Sequence, residues 1–441
     1  MESTQKNKHK APDVSRNVFG GVLVTDGAGH YPGLELLNLI FCNTSDRLLS
    51  EDEQQYLLHS HDFARKLVWS PEFSKHPKSR EVLLDRKTEE ALRSLLLCLQ
   101  LDIPNKSNKT EQWARAHFFP YTRSLIHWDA RQLSRKKSKS EKISIERRYL
   151  RGGGALAYHV LRNDPDDDRR LGIEKQLENL FPEDRNTPLE SLADVLLKNG
   201  VSDAKPRKDD IEPESRLFGD DLEELYREGV HTLLSHNKLS GRTRIRSLFT
   251  WTGFWLIRAQ FVRASKHLDE EGDHFLCDCG AGHKQIRLGS QRSFKDAVSK
   301  ISRAFESMWS QMNINHDLPK SSANECPNFF KNTAAAIKLL NSLKGRGRYF
   351  TLQIDILETL VLTAIGDRDE CTYEWFINEW MSTRCGIVIG RRAAERCGLL
   401  GTLDASIFAN NEKALEQQMI AAGLVKKYSD ATSMVGTEGL L

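Results

Sequence analysis

Between Ser247 and Ser265 the chain reads SLFTWTGFWLIRAQFVRAS, nineteen residues that include two tryptophans, three phenylalanines and only two charges. Apolar and aromatic side chains recur there at helical spacing, which predicts an amphipathic helix. So much aromatic surface needs a large core, and a chain of 441 residues, 39% of them hydrophobic, can build one. At roughly 150 residues per domain, that length predicts two or three domains. Arg242, Arg244 and Arg246 lead into the stretch, and Arg258 and Arg263 lie within it. Arginine interleaved with aromatics also suits single-stranded nucleic acid, but the helical spacing favours core packing. No apolar run approaches the roughly 18 to 20 residues of a membrane span. The polar start MESTQKNKHKAP lacks the apolar segment of a signal peptide. The expectation is a soluble, cytoplasmic protein without a membrane partner.

The punctuation of the chain predicts a mainly α, multi-domain protein with short strands. Residues 1–17 read as a polar tail and 18–200 as an N-terminal helical domain. In the latter, Ser50 and Glu53 form a capping box that opens a helix through Tyr56, Leu57, Phe63 and Leu67. Thr88 caps a very apolar helix through Leu92, Leu95, Leu96 and Leu99. Thr187, Pro188 and Glu190 open a helix that Gly200 closes. Gly152-Gly153-Gly154 before ALAYHVL reads as a tight entry to a helix, with anion binding by its N–H groups as the alternative. The charged segment 201–217 reads as a loop or hinge. A central helical domain, 218–326, holds HFLCDCGAGHKQIRLG (274–289), read as strand, glycine turn and second strand, then a helix from about Ser293 to Met312. Residues 327–441 read as a C-terminal winged-helix domain.

Net charge is only +3, but its distribution is uneven. Residues 115–151 carry eleven basic and three acidic side chains, 164–228 ten and twenty, and 238–303 thirteen and six. Either the blocks pair within one fold or across subunits, or the basic ones face a phosphate backbone. Arg135, Lys136, Lys137 and Lys139, in the basic segment 131–151, are the first candidates for such contacts. The eight cysteines are scattered, without the pattern of a disulfide framework. Cys277 and Cys279, with His283 nearby, invite a zinc reading, but C-x-C without a distant second pair is a poor structural zinc site. Asp278, set in an apolar strand with Lys284 close by, suits a Mg²⁺-dependent nuclease only if a second carboxylate joins it. A turn-capping role is the simpler reading.

The most specific pattern is NNEKALEQQMIAAGLVKKYSDATSMV near the C-terminus. Leu415, Met419 and Ala422 mark the inward face of a helix, Gly423 its end, and Leu424-Val425 and Ser433-Met434-Val435 two strands around a turn at Ser429-Asp430. Helix, glycine, strand, turn and strand is the layout of a recognition helix running into a wing. Asn410, Lys413 and Gln417 form its outward stripe, and Asn and Gln can read adenine edges in a major groove. Lys426 and Lys427 fall on the wing, and Arg346 and Arg348 sit in a break further upstream, where phosphate contacts suit them. Glu412 and Glu416 share the helix and oppose such contacts.

The last 90 or so residues resemble the winged-helix ends of accessory proteins encoded in bacterial DNA-modification and phage-defence islands. The likeness rests on Arg348-Tyr349-Phe350-Thr351-Leu352, Ile387-Val388-Ile389-Gly390, and Gly423-Leu424-Val425 with Ser429-Asp430. It implies a double-stranded DNA partner and other protein subunits. The function expected is a non-catalytic, DNA-binding subunit of a prokaryotic defence or DNA-processing complex, without a cofactor. The alternatives are a Mg²⁺ nuclease centred on Asp278, or a protein-docking scaffold that never meets DNA.

Overall fold

The computed structural model describes residues 10–23, 31–50, 55–70, 72–83, 85–101, 113, 116–132, 143–146, 150–183, 186–208, 215–312, 317–342, 347–366, 370–429 and 432–440. Among these, 62% lie in helices and 9% in strands, so the fold is mainly helical. The first half holds α1 (Lys10–Phe19), α2 (Tyr31–Phe41), β1 (Gln55–Tyr56), β2 (His59–Ser60), α3 (Asp62–Trp69), α4 (Pro77–Val82), α5 (Arg86–Cys98), β3 (Asp129–Gln132) and β4 (Ile143–Glu146). It continues with α6 (Gly154–Arg162), α7 (Asp167–Leu180), α8 (Pro188–Lys198), β5 (Val201–Ser202) and β6 (Arg207–Lys208). The second half begins with α9 (Asp221–Ser235), α10 (Gly241–His267), β7 (Phe275–Leu276), α11 (Lys284–Gln311), α12 (Lys320–Ala336) and α13 (Ile354–Ala364). It closes with β8 (Glu370–Thr372), α14 (Tyr373–Trp375, continued as a π-helix Phe376–Arg384), β9 (Ile387–Val388), α15 (Arg391–Arg396), α16 (Ala405–Ala421), β10 (Val425–Lys427) and β11 (Ser433–Gly436).

The aromatic stretch becomes α10, and it is not amphipathic: twenty of its 27 residues are buried. It is wrapped by α1, α2, α9, α11, α12 and α13. A helix buried on all sides is the mast of a core. Its two tryptophans find polar partners, Trp251 Nε1 donating to Tyr226 O (3.3 Å) and Trp255 Nε1 to Leu222 O (2.7 Å). Arg244, Arg258 and Arg263 turn inward, whereas Arg242 and Arg246 are exposed; Arg263, 4% exposed, pairs with Asp220 (3.0 Å) and Glu223 (3.0 Å) and donates to Phe19 O. Arg169 joins Asp164 to Glu224 in the same way. The acidic block thus meets arginines inside one fold.

One hydrophobic cluster runs from Val14 to Val435, across each of the boundaries read from the sequence. The 201–217 segment is tied down where it is described: β5 pairs antiparallel with β2, β6 with β1, and Ser215 bridges Gly21. Those pairings account for a difference near Ser50. The helix there starts only at Asp62, because residues 55–60 are taken up by β1 and β2. The second apolar helix is α5, capped by Asp85, which accepts from Thr88 N. It is less deeply set than its leucines suggest, since Leu95 and Leu97 are exposed. At α8 the capping pattern reads true, with Thr187 accepting from Glu190 N and Pro188 in the first turn.

The triple glycine meets an anion supplied by the chain itself. Glu35 on α2 is fully buried, and its Oε2 accepts from Gly152 N (2.8 Å) and Gly154 N (2.7 Å) at the start of α6. Gly153 holds φ +93°, and a Cβ on Gly154 would run into Glu35 and Pro32. Behind this corner lies a chain of buried rings. Asp129 Oδ1 is 3.0 Å from His117 Nε2, and His117 Nδ1 is 3.3 Å from His127 Nε2. His127 Nδ1 donates to Leu125 O (2.8 Å), and His61 packs on His127 at 5.0 Å between centroids. Burial holds His61 down to about 4 and His127 well below its ordinary value.

Candidate nucleic-acid interface

The C-terminal elements form a three-stranded antiparallel sheet in the order β10-β11-β8, with Val425 opposite Val435 and Val435 opposite Cys371. α16 feeds directly into it. Asp404 caps the helix by accepting from Ser406 N (2.7 Å). Gly423, at φ +73°, ends it, with Leu424 N donating back to Met419 O. Ile407, Phe408, Asn411, Leu415 and Met419 are its buried side. Asn410, Lys413 and Gln417 are exposed on the opposite side, and Lys426 and Lys427 are exposed on β10.

Asn411 fixes this helix to the rest of the fold. Fully buried, its Nδ2 donates to Cys277 O (3.0 Å) and Ile389 O (3.1 Å), and its Oδ1 accepts from Cys279 N (2.8 Å). One amide therefore satisfies the ends of β7 and β9, which pair in parallel. The outward stripe read from the sequence contains its neighbour Asn410 and not Asn411. The signal was there, since Asn411 falls between Phe408 and Leu415 on the apolar stripe, where a polar side chain needs partners.

The 274–289 segment departs from the strand-turn-strand reading. Only Phe275–Leu276 is a strand, and α11 starts at Lys284, nine residues before the expected Ser293. Ile286, Ser290 and Phe294 already lie on its buried face. Between them, Gly280 and Gly282 take φ +85° and +81° in open space, a conformation that suits glycine alone. Asp278 organises this turn: its Oδ1 accepts from Gly280 N (2.9 Å) and its Oδ2 from Arg287 Nε (2.9 Å). The carboxylate also holds Arg287 more firmly protonated than usual, and the guanidinium lies over Tyr349, 5.0 Å from its ring centre.

The turn delivers basic side chains beside α16. His283 Nε2 is 3.2 Å from Asn410 Nδ2, joining the first turn of α11 to the exposed stripe. Lys284 is exposed there and, like Lys413, makes no ion pair among the described residues. Arg348 lies over Phe294. On the wing, Lys426 stands 3.7 Å from Glu438 and over the ring of Tyr428. The two acids on α16 are drawn aside. Glu416 accepts from the Ser433 hydroxyl (2.6 Å), and the half-buried Glu412 carboxyl, pushed up mainly by burial, packs on Gly390. Arg135, Lys136, Lys137, Lys139 and Arg346 lie outside the described residues.

The zinc and magnesium candidates do not converge. Cys277 and Cys279 are buried, and burial pushes both thiols up. Among the described residues no three His, Cys, Asp or Glu side chains are grouped as metal ligands. Nor is any described helix long and apolar enough to cross a membrane. Comparison with family models, curated proteins and solved structures finds no match to this chain.

Proposed function

We propose that this protein binds double-stranded DNA through its C-terminal elements, with α16 as the recognition helix of a winged helix and β10–β11 as the wing. The observation carrying this reading is the order α13, β8, α14, α16, β10, β11, with β11 paired between β10 and β8, so that α16 enters the sheet with Asn410, Lys413 and Gln417 facing solvent. That is the strand order of a winged helix. It carries an insertion, β9 and α15, between the second and third helices.

The surrounding chemistry supports phosphate contacts. Lys284, Arg287, Lys413 and the wing lysines are exposed, while Glu412 and Glu416 are engaged elsewhere. Contacts of this kind are sequence-tolerant and salt-sensitive. Because Asp278 is committed to Arg287 and Gly280, the nuclease alternative has less support, and catalysis in this reading belongs to a partner. Placement in a multi-protein defence or DNA-processing system rests on the sequence resemblance alone.

The test is fluorescence anisotropy with a duplex of about three helical turns at 50 and 200 mM salt, with gel analysis for cleavage in Mg²⁺. Binding that weakens steeply with salt and without cleavage is expected. The charge reversals Lys284→Glu and Lys413→Glu together should weaken it by at least tenfold. Unchanged binding in that variant would remove α16 from the interface, and Mg²⁺-dependent cleavage lost in Asp278→Asn would replace the proposal with the nuclease.

A further inference from the structure

On the face of the molecule where α11 passes the β7 segment and the turn before α16, a cleft of about 600 Å³ opens. That is within the usual range for small-molecule sites, roughly 300–1,000 Å³. Its apolar lining is formed by Leu276, Leu399 and Leu403. Gly289 lies there without a side chain, where a Cβ would press on Leu276 and Leu403. Polar groups complete the lining. Gln285 and Arg292 both come from α11, about 10 Å apart along its axis at 1.5 Å per residue. His274 and Glu271 come from the segment leading into β7.

The charges separate into those that are used and those that are free. Lys300 is buried and spent: it donates to the Glu271 and Gly272 carbonyls and pairs with Asp296 at 3.2 Å. Glu270 is paired with Arg303. Arg292, by contrast, makes no hydrogen bond or ion pair among the described residues, and neither do the side chains of Gln285 and Glu271 or the ring nitrogens of His274. The cleft therefore offers four unused functions beside an apolar lining. A guanidinium suits a phosphate, a carboxylate suits sugar hydroxyls, and an imidazole with an amide can donate to and accept from the edge of a heterocycle. A flat ring can lie on the three leucines.

We infer that this cleft is a binding site for a nucleoside monophosphate unit, its phosphate at Arg292 and its base against the leucines. The same chemistry is present in a free mononucleotide and in the 5′-terminal nucleotide of a strand. The site is separate from the outward stripe of α16 and does not depend on it.

Isothermal titration of the full chain tests this with the four nucleoside 5′-monophosphates singly, adenosine, inorganic phosphate, and a 5′-phosphorylated dinucleotide. At least one monophosphate should bind more tightly than adenosine or phosphate. Arg292→Gln, a change at an exposed position, should weaken it by roughly tenfold or more, the loss of one charge-assisted contact. Thr402→Trp, which fills the mouth of the cleft, should also abolish the heat, with circular dichroism showing the fold unchanged. Binding of the dinucleotide but of no free monophosphate would assign the unit to a strand end. Binding that Arg292→Gln and Thr402→Trp both leave intact, or no binding of any phosphorylated probe, would overturn the assignment. Phosphate binding as tightly as every monophosphate would remove the base from it. DNA binding through α16 can fail with this result unchanged.

Discussion

Asn411 and Glu35 each satisfy backbone groups of distant segments from inside the core, and both positions are costly to alter for the same reason. A buried donor or acceptor stripped of its partner loses its solvation without replacement, about 1–3 kcal/mol each. Asn411→Leu leaves Cys279 N, Cys277 O and Ile389 O without their amide, so a destabilisation of about 3 kcal/mol is expected, read as a lower urea midpoint. Glu35→Gln keeps an acceptor but removes the charge at the start of α6. A smaller loss is expected in the same measurement, about 1–2 kcal/mol, with the secondary structure intact. Neither residue was legible as functional in the sequence. The glycines at 152–154 read first as a tight helix entry, with anion binding as the alternative, and only the packing of α2 on α6 supplies the anion, Glu35.

Some helix ends were legible, because caps act within three or four residues of the chain, although the starts read at Ser50, Thr88 and Ser293 fall elsewhere. Thr187 accepts from the backbone N–H three residues on, and Gly423 closes α16 in the left-handed region. The hairpin after α16 was legible for the same reason, its strands being separated by only a short turn. Two-residue strands such as β1, β2, β5 and β6 were not. Their pairing joins residues about 150 positions apart, and nothing within either segment announces it. At this scale the DNA proposal makes a graded prediction. Each phosphate contact removed should lower the slope of log affinity against log salt by about 0.9. Lys426→Glu with Lys427→Glu should therefore flatten it by roughly two if both wing lysines touch phosphate. The parallel change Lys136→Glu with Lys137→Glu tests the basic segment, and an unaltered slope would exclude it.

For the whole molecule, the buried histidines make stability a function of pH. His61 titrates at about 4 in the fold and near 6.5 when unfolded, and burial also lowers His59, His117 and His127. Between those values the unfolded chain binds more protons than the folded one, so stability is full above about pH 6.5 and falls as the pH drops toward 4. His61 alone should cost about 2 kcal/mol by pH 5. The carboxyls that burial raises, Asp62, Glu358 and Glu412, act in the opposite sense, and their effect grows as the pH nears the ordinary carboxylate range. Urea midpoints at pH 7, 6 and 5 should decline steadily, and more shallowly in His61→Gln. A flat profile would mean that the cluster is hydrated or charged at neutral pH.

The sequence by itself determined the helical character of this protein, the ends of α8 and α16, the need for a core around residues 247–265, and the outward stripe of α16. All of these follow from propensity, capping and periodicity, which act over a few neighbouring residues. Tertiary structure decided that α10 is enclosed on all sides, that the acidic block meets arginines within the same fold, that Asp278 serves Arg287 and Gly280, and that α11 begins at Lys284. It also brought the 270–276 segment, α11 and the 399–403 turn together around one cleft. Each of these depends on which distant surfaces pack together, and periodicity along the chain says which face of an element is apolar but not what covers it.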